Sequence, residues 1–454
     1  MKVASSIPAE VEEILSDRVL GRVLSCSCGK EHRILTREVV VESGVAGHMT
    51  ERLPSLVTGT RALLIADSRT WEAAGDEVAA ALGARYEIES RLLEDGPDGH
   101  IHASVDLVDE LEAASSDAYD FFIAVGSGTV NDLTKALAHR RGRPYVVVAT
   151  AASMNGYTSA IVALLENGLK TTSETTPPVA VFADPEVLVR APRELTLAGL
   201  GDLVSKPYCG CDWKIASLVK GEYYCPMPDR LLSGPFQRAL DVFPKLVDGD
   251  PEGVVLLFQL LLVSGLSMAV TGTSSPASGG EHLLSHFLDM TRLRDGLPTN
   301  LHGAQVGVSS MVIDELYSRI LNVDFCTIDF CPGPSLEAAQ HDAEAFWGNL
   351  AVAVWPQWRA KLEGRSERDL GRLCLYQDEI KEEIRHTLAV GRKVWHALTA
   401  SGAPVRAEQI GVGPDELASA IRYGRRIRNR FTVLDVAAEL GILESFADEL
   451  GGGV

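Results

Sequence analysis

Residues 121–135 read Phe-Phe-Ile-Ala-Val-Gly-Ser-Gly-Thr-Val-Asn-Asp-Leu-Thr-Lys, an apolar run that leads through two glycines into a helical pattern. This order predicts a strand that turns directly into a helix. Glycines at such a turn let backbone N–H groups approach a pyrophosphate, whose charge the helix N-terminus attracts. The full G-x-G-x-x-G fingerprint is absent, so spacing alone leaves nucleotide binding and a plain tight turn equally open. The preceding strand favours nucleotide binding.

Short runs of apolar, β-branched residues recur around this stretch. They occupy residues 38–42, 62–66, 144–149 and 179–183, and helix-length segments separate them. The alternation predicts a parallel, doubly wound sheet with helices on both faces. Residues 160–172 carry Glu-Asn-Gly flanked by strand-like residues, which predicts a hairpin.

Long helical patterns replace the strand-like runs beyond residue 195. They lie at residues 235–247, 253–270, 303–322, 336–362, 367–402 and 414–428. The sequence therefore predicts an α/β Rossmann-like dinucleotide-binding domain at residues 1–195 and an all-helical domain at residues 196–454. The most apolar run, residues 254–270, contains polar residues and is short for a membrane span, so we expect a buried core helix.

The composition disfavours several classes of partner and site. A formal net charge of −20 argues against nucleic acid and anionic membranes, which are bound through clustered cations. The eight cysteines are scattered and no apolar stretch follows residues 1–6, so we expect reduced thiols in the cytoplasm. Cys26, Cys28 and His32 resemble half a zinc knuckle, but no second ligand pair follows nearby. A polar turn is the favoured interpretation.

Two more candidate ligand-binding features stand at predicted strand ends. Residues 150–159 form a small, hydroxyl-rich loop at the sheet edge where doubly wound folds bind ligands, with an ordinary polar connection as the alternative. Asp67 ends the second predicted strand. Its carboxylate is suited either to a ribose diol or to the start of the following helix.

A carboxylate and three histidines suggest a metal centre in the second half of the chain. Asp202 follows two glycines and Pro192, a context that predicts a position near a helix start and explains the carboxylate without a ligand. His282 and His286 share one helical face, and His302 begins another helix. A lone histidine is more often a hydrogen-bonded core residue. Three histidines with Asp202 shift the balance towards zinc, nickel, iron or cobalt.

Together these segments resemble the sn-glycerol-1-phosphate dehydrogenases, which are related to iron-type alcohol dehydrogenases, glycerol dehydrogenase and 3-dehydroquinate synthase. The matching stretches are residues 126–135, 150–159, 199–206, 280–286 and 301–307, with residues 212–214, 221–225 and 422–443 resembling the bacterial branch. The resemblance covers nearly the whole chain. It implies NAD or NADP, one divalent metal ion and a homo-oligomer, a dimer or larger.

The resemblance also implies roles for individual residues. Asp202, His282 and His302 match the metal ligands, and Asp202 and His286 match positions close to substrate. The cofactor segments match Gly126, Ser127, Gly128, Thr129, Val130, Asn131, Asp132, Thr150, Ala151, Ala152, Ser153 and Ser159, with Asp67 as a further candidate. The implied reaction is reduction of dihydroxyacetone phosphate to sn-glycerol 1-phosphate, with His286 supplying a proton through a water.

Two residues bear on the substrate. Lys206 lies one turn beyond Asp202 and suits a phosphate, with a solvated surface lysine as the alternative. Asn155 stands where the family typically carries an Asp that acts on substrate, and an amide brings neither charge nor basicity. Another polyol or a phosphorylated or phosphonate-bearing ketone is therefore the alternative substrate. A non-catalytic NAD-binding protein is the alternative from another functional class.

Overall fold

The computed structural model describes residues 8–96, 99–115, 118–327 and 333–452. Residues 1–6, from which the absence of a signal peptide was predicted, lie outside these ranges. The chain forms two compact units. Unit 1 comprises Met1–Glu166, Thr171–Leu203 and Cys225–Ser274, and unit 2 comprises Asn167–Lys170, Val204–Tyr224 and Ser275–Val454. The division at residue 195 stays a prediction, and the helices of Cys225–Ser274 group with the unit that holds the large sheet.

The strands include all five that the sequence predicts. They are β1 Val23–Ser25, β2 Glu31–Arg33, β3 Glu38–Val41, β4 Arg61–Asp67, β5 Glu87–Leu93, β6 Phe121–Gly126, β7 Tyr145–Ala149, β8 Ile161–Glu166, β9 Leu169–Glu174 and β10 Ala180–Ala183. Six of them form one sheet in the order β3-β10-β7-β6-β4-β5, and every pair is parallel. The predicted doubly wound parallel sheet is confirmed.

The degree of burial explains which strands could be predicted from the sequence. Every residue of β6, β7 and β10 is buried, because helices cover both faces of a parallel sheet and make its central strands continuously apolar. Strand β5 is the exception, since it lies at the edge and most of its residues are exposed. Its polar sequence explains why the apolar pattern did not predict it.

The helices alternate with the strands and then dominate. They are α1 Ala9–Ile14, α2 Val45–Leu56, α3 Ser68–Thr70, α4 Asp76–Leu82, α5 Val105–Ala114, α6 Gly128–Arg140, α7 Pro185–Arg190, α8 Arg193–Val204, α9 Lys206–Lys220, α10 Met227–Ala239 and α11 Pro251–Thr271. The later ones are α12 Gly280–Arg294, α13 His302–Leu321, α14 Leu336–Trp347, α15 Ala351–Glu363, α16 Glu367–Leu375, α17 Gln377–Ser401, α18 Pro414–Tyr423, α19 Val433–Glu439 and α20 Leu443–Leu450.

The sequence predicts where several helices lie but not where a long helical pattern is divided into two helices. The patterns at 253–270 and 303–322 match α11 and α13, but those at 336–362 and 367–402 are each divided into two helices. The pattern at 235–247 is wrong in its bounds: α10 ends at Ala239, and a separate 3-10 turn follows at Phe243–Asp248. Pro235 lies inside α10, and Pro228 stands in its first turn, where proline is favoured.

The hairpin and the apolar core helix are both confirmed. Strands β8 and β9 pair through a two-residue turn in which Asn167 has φ 51° and Gly168 has φ 78°. These left-handed values are the ones that an Asn-Gly hairpin turn adopts. Helix α11 is long and apolar enough to cross a membrane, but 89% of its most apolar window is buried inside the protein. It is therefore a core helix.

The cysteines correct one expectation. Cys326 and Cys374 form a disulfide, with their Cα atoms 4.9 Å apart, so the prediction of reduced thiols is wrong for this pair. The two positions are 48 residues apart, and only the fold brings them together. Cys26, Cys28, Cys209, Cys211 and Cys225 are thiols, and Cys331 lies outside the described residues.

Helix α8 packs unusually closely against a loop of unit 1. It begins after Pro192 and ends at Val204, so Asp202 lies in its last turn. The prediction that Asp202 stands near a helix start is wrong, because the proline begins the helix well before the two glycines. Gly199 faces the carbonyl of Ala152, and a Cβ at this position would overlap that oxygen. A glycine inside the helix is thus required by the contact.

We expect Gly199→Ala to lower the free energy of unfolding by about 1–3 kcal/mol, since the added methyl group must push the helix away from Ala152. Gly210→Ala is the matched control, because Gly210 lies inside α9 with nothing within 4 Å of its Cβ position. It should stabilise the protein by about 0.5–1 kcal/mol. Urea denaturation followed by circular dichroism measures both values. Equal effects of the two substitutions would contradict the steric explanation.

Candidate active site

The sheet places a crevice where nucleotide-binding folds bind their ligand. Strand β4 connects to β5 on one side, whereas β6 lies on the other side of β4 and leads to β7. The order of strands therefore reverses between β4 and β6, and ligands bind at the carboxyl ends of strands at such a switch point. Asp67 ends β4 and Gly126 ends β6. Two of the predicted cofactor residues thus meet at the expected edge.

The glycine turn after β6 is shaped for a close approach. Helix α6 begins at Gly128 with Ser127 as its N-terminal cap residue, and the Asn131 N–H donates to the Ser127 carbonyl over 2.9 Å. The residues of the first turn, Gly128, Thr129 and Val130, direct their N–H groups out of the helix end, as in anion-binding helices. Asp132 accepts a hydrogen bond from the Asn131 amide at 3.1 Å and so helps to hold this turn.

The second cofactor segment is fixed to α6 by a buried lysine. The ammonium group of Lys135 donates to the carbonyls of Gly156 at 2.7 Å and Ile161 at 3.2 Å, and it lies 3.5 Å from Asp132. Burial lowers its pKa from the ordinary value, while Asp132 acts in the opposite direction. The loop at 150–159 therefore cannot move independently of the glycine turn.

Most predicted cofactor residues of this loop are buried and hold the loop itself. Thr150, Ala151 and Ala152 are buried, Ser153 is half-buried, and the Ala151 carbonyl accepts from Tyr157 at 2.8 Å. Ser159 accepts from the Ile161 N–H at 2.9 Å. Asp67 caps α3 by accepting from the Thr70 N–H at 2.9 Å, which is the helix-start alternative. Its cofactor role stays a prediction.

Asp202 is held by Asn155 within unit 1. The Asn155 backbone N–H donates to one carboxylate oxygen at 2.9 Å, and its side-chain amide lies 3.3 Å from the other. The same amide nitrogen is 3.3 Å from the Ser264 hydroxyl. Asp202 is only 1% exposed, and a buried carboxylate needs such partners. Asn155 therefore orients Asp202, a contact that the sequence did not predict.

Three histidines form a cluster in unit 2. The ring centroids of His282 and His302 are 5.2 Å apart, and His286 lies 6.1 Å from His282 and 5.6 Å from His302. A ring nitrogen of His282 lies within 4.8 Å of one of His302. Helices α12 and α13 supply the three rings, as their spacing predicted.

Hydrogen bonds orient two of these rings in the way that metal-binding histidines are oriented. Nδ1 of His282 is 2.7 Å from the Glu281 carboxylate, and Nδ1 of His302 is 3.3 Å from the Ser285 hydroxyl, which donates to Gln305 at 2.8 Å. These contacts assign the proton to Nδ1 in both rings and leave the Nε2 lone pair for a cation. The donor set therefore fits a divalent metal ion.

Glu281 is the anchor of this arrangement. It is fully buried and accepts from the Cys209 thiol at 2.8 Å and the Gly279 N–H at 2.9 Å, besides its contact with His282. Burial would raise the pKa of the carboxyl, but the hydrogen bond from His282 and the electrostatic interaction with that ring outweigh this effect, so the pKa lies below its usual value. The carboxylate stays ionised and polarises the imidazole.

His286 has a different environment from the other two histidines. Its Nδ1 is buried and has no hydrogen-bond partner among the described residues. Burial, followed by the charges of Arg428 and Lys170, places its pKa well below the ordinary value. His286 is thus a neutral imidazole with one ring nitrogen that a bound molecule can satisfy.

Lys206 is not a surface residue. It is 6% exposed, and its ammonium group donates to the Ser205 hydroxyl at 3.0 Å and to the Ala277 carbonyl at 3.2 Å. The alternative of a solvated surface lysine is wrong. The sequence did not predict a role for Arg428 and Lys170, whose charges lower the pKa of His286. No sequence pattern links these two cations to the helices that carry the histidines.

Comparison with known proteins identifies the family. Residues 40–192 match the model of the iron-containing alcohol dehydrogenases. Over 423 residues the chain is 31% identical to the glycerol-1-phosphate dehydrogenase [NAD(P)+] of Bacillus licheniformis, covering 92% of this chain and 93% of the relative. A similar enzyme of Geobacillus stearothermophilus is 31% identical over 438 residues, covering 94% and 99%.

The chain belongs to the glycerol-1-phosphate dehydrogenase family. It is an NAD(P)-dependent, metal-dependent oxidoreductase of that family. An iron-containing alcohol dehydrogenase from Thermotoga maritima shares its fold, with a TM-score of 0.60 at 17% identity over 93% of this chain and 99% of the other. The expected dehydroquinate synthase-like fold of this family is thereby confirmed.

Proposed function

We propose that this chain reduces dihydroxyacetone phosphate to sn-glycerol 1-phosphate, using NADH or NADPH and one divalent metal ion held by Asp202, His282 and His302. The observation that best supports the proposal is the pair of imidazoles whose Nδ1 atoms are held by Glu281 and Ser285. Metal-ligating histidines almost always donate their other ring N–H to a carboxylate, carbonyl or water, which fixes the tautomer and the ring orientation. The names of the curated relatives support the substrate.

The two bound groups supply the difficult chemistry. When bound, NADH or NADPH would supply the hydride, and a divalent cation held by Asp202, His282 and His302 would polarise the C2 carbonyl. The overall reaction consumes the ketone, NAD(P)H and one proton and yields the alcohol and NAD(P)+. Zinc, nickel and iron all accept a ligand set of one carboxylate and two imidazoles.

The residues of unit 1 bind and orient the cofactor in this proposal. The first turn of α6, at Gly128, Thr129 and Val130, receives the pyrophosphate, while Asp67 faces the ribose. The loop at 150–159, fixed by Lys135, positions the nicotinamide end. A loop tied to the glycine turn holds both ends of one cofactor in a constant relation, which favours a reactive geometry.

His286 handles the proton in this proposal. Its buried Nδ1 has no partner among the described residues, so it can bond a water or the substrate hydroxyl. Because His286 is neutral, it would orient that water and relay to the C2 oxygen a proton that comes from solvent.

The remaining parts of the proposal concern the oligomeric state, the location and the partners of the protein. We propose a homo-oligomer in the cytoplasm, a dimer or larger. The net charge of −20 supports a small molecule over nucleic acid or a membrane as its partner.

The metal and substrate are tested together by reconstitution. Protein stripped of metal is loaded separately with zinc, nickel or iron, and oxidation of NADH and NADPH is followed with dihydroxyacetone phosphate, dihydroxyacetone and a phosphonate analogue. We expect turnover with at least one metal and the highest kcat/KM with the phosphorylated ketone. No turnover with any metal would refute the dehydrogenase proposal, and turnover limited to dihydroxyacetone would indicate a polyol dehydrogenase.

The phosphate site is tested with two cationic positions. We expect Lys206→Met to lower kcat/KM for dihydroxyacetone phosphate about 10–100-fold, since a charge-assisted hydrogen bond contributes about 1.5–3 kcal/mol, with little effect on dihydroxyacetone. Arg428→Met is the comparison, because the charge of Arg428 contributes to the lowered pKa of His286. An unchanged KM for the phosphorylated ketone in Lys206→Met would exclude Lys206, and a selective loss in Arg428→Met would move the phosphate to that cation.

Asn155 is tested as a positioning residue for Asp202. Asn155→Ala removes the side-chain amide but keeps the backbone N–H bond to Asp202. We expect metal affinity to fall about tenfold, as for other groups that orient a ligand, with KM unchanged at saturating metal. Equilibrium dialysis with zinc measures the affinity. Ser264→Ala is the control, because it removes the Ser264 hydroxyl but keeps both bonds from Asn155 to Asp202. A raised KM with unchanged metal affinity would instead place Asn155 on the substrate.

A further inference from the structure

Four side chains of unit 1 converge at a place remote in sequence from the predicted active-site residues. Cys26, Cys28, His32 and Cys225 each offer one ligand atom, and these atoms all lie within 4.8 Å of one another. Cys225 supplies the fourth group that the sequence lacked near residue 32. His32 and Cys225 are buried, and Cys26 and Cys28 are half-buried.

The separations match the edges of a tetrahedral zinc site. With Zn–S of about 2.3 Å and Zn–N of about 2.0 Å, tetrahedral angles give about 3.8 Å between sulfurs and about 3.5 Å between sulfur and nitrogen. The Sγ atoms of Cys26 and Cys225 are 3.6 Å apart. Nε2 of His32 lies 3.3 Å from Cys28 Sγ and 3.4 Å from Cys225 Sγ. Three edges thus agree to within about 0.2 Å.

The local backbone is also that of a metal-binding turn. Strands β1 and β2 are antiparallel, with Leu24 opposite His32. The turn between them closes through the Cys26 N–H, which donates to the Lys30 carbonyl at 3.2 Å, and Gly29 adopts φ 84°. This geometry directs Cys26 and Cys28 to one side of the hairpin. The Met227 N–H donates to Cys225 Sγ over 3.5 Å, as backbone amides do to metal thiolates.

We propose that these four residues bind a structural zinc ion with a Cys₃His ligand set, separate from the catalytic metal. Tetrahedral sites of sulfur and nitrogen select zinc over the harder cations. Four protein ligands leave no position for a substrate, so the site is structural. Three thiolates and one neutral imidazole leave a net charge of −1 around Zn²⁺, and Arg230 of α10 donates to Ser27 in the same turn.

The zinc ion would fasten the N-terminal hairpin to the segment that begins α10. Cys225 stands 193 residues after His32, and a cross-link over so long a loop removes much entropy from the unfolded chain. The competing occupant of this place is a disulfide between Cys26 and Cys225. Their sulfurs are 3.6 Å apart, well beyond the bonded distance of about 2.05 Å.

Cobalt substitution distinguishes this site from the catalytic one. The full-length protein is produced with Co²⁺ in place of zinc under reducing conditions, and its absorption spectrum is recorded. We expect a near-ultraviolet sulfur-to-cobalt charge-transfer band together with strong tetrahedral visible bands. The proposed catalytic ligands Asp202, His282 and His302 contain no sulfur, so this band would not come from them. Absence of the band in folded, cobalt-loaded protein would overturn the proposal.

Matched variants assign the band to these residues. Cys225→Ser should abolish the charge-transfer band and remove about one zinc per chain, whereas Cys211→Ser, which alters a buried thiol outside the cluster, should retain both. His32→Cys should keep the metal as a Cys₄ site, so it controls for loss through misfolding. Unchanged zinc content in Cys225→Ser, or a Cys26–Cys225 disulfide in peptide maps of the native protein, would refute zinc binding.

Discussion

The contact between Gly199 and the carbonyl of Ala152 determines where Asp202, the proposed metal ligand of unit 1, lies. It allows α8 to approach the loop at 150–159 more closely than any side chain would permit. One turn later the same helix presents Asp202 to the backbone and side chain of Asn155. The loop is itself fixed to α6 by Lys135. A single steric constraint thus relates the glycine turn, the hydroxyl-rich loop and Asp202.

In unit 2 the main constraint is electrostatic and concerns which ring nitrogen of a histidine carries the proton. A metal-binding imidazole must keep its proton on the ring atom away from the cation, and a buried carboxylate or hydroxyl is needed to hold it there. Glu281 and Ser285 contact Nδ1 of His282 and His302, the two imidazoles among the proposed ligands. Glu281 lies beside the histidine that it orients, so one turn of α12 carries both a proposed ligand and its support. The arrangement explains why the carboxylate of Glu281 is buried in α12.

The sequence predicted what short-range patterns encode and missed what the fold brings together. Buried central strands such as β6 are apolar throughout, so they were evident, whereas the polar edge strand β5 resembles a loop. The three histidines were recognisable because helical spacing and a glycine-rich entry accompany them. The bonds from Asn155 to Asp202, the disulfide of Cys326 with Cys374 and the approach of Cys225 to His32 join distant positions. No local pattern records such pairs, and Asp202 was misplaced within its helix because α8 begins at Arg193, before the two glycines that precede Asp202.

The strand order has a consequence for how the protein is made. Strand β3 is the first of the large sheet to be synthesised, yet among the described residues its one neighbour in that sheet is β10, and Glu38 pairs with Ala180. At translation rates of about 5–20 residues per second, roughly 7–30 seconds separate the two strands on the ribosome. During that interval the backbone of β3 has no partner strand. The later strands can add in turn from the β4–β5 edge through β6, β7 and β10, so the nascent chain closes the edge formed by its first strand last.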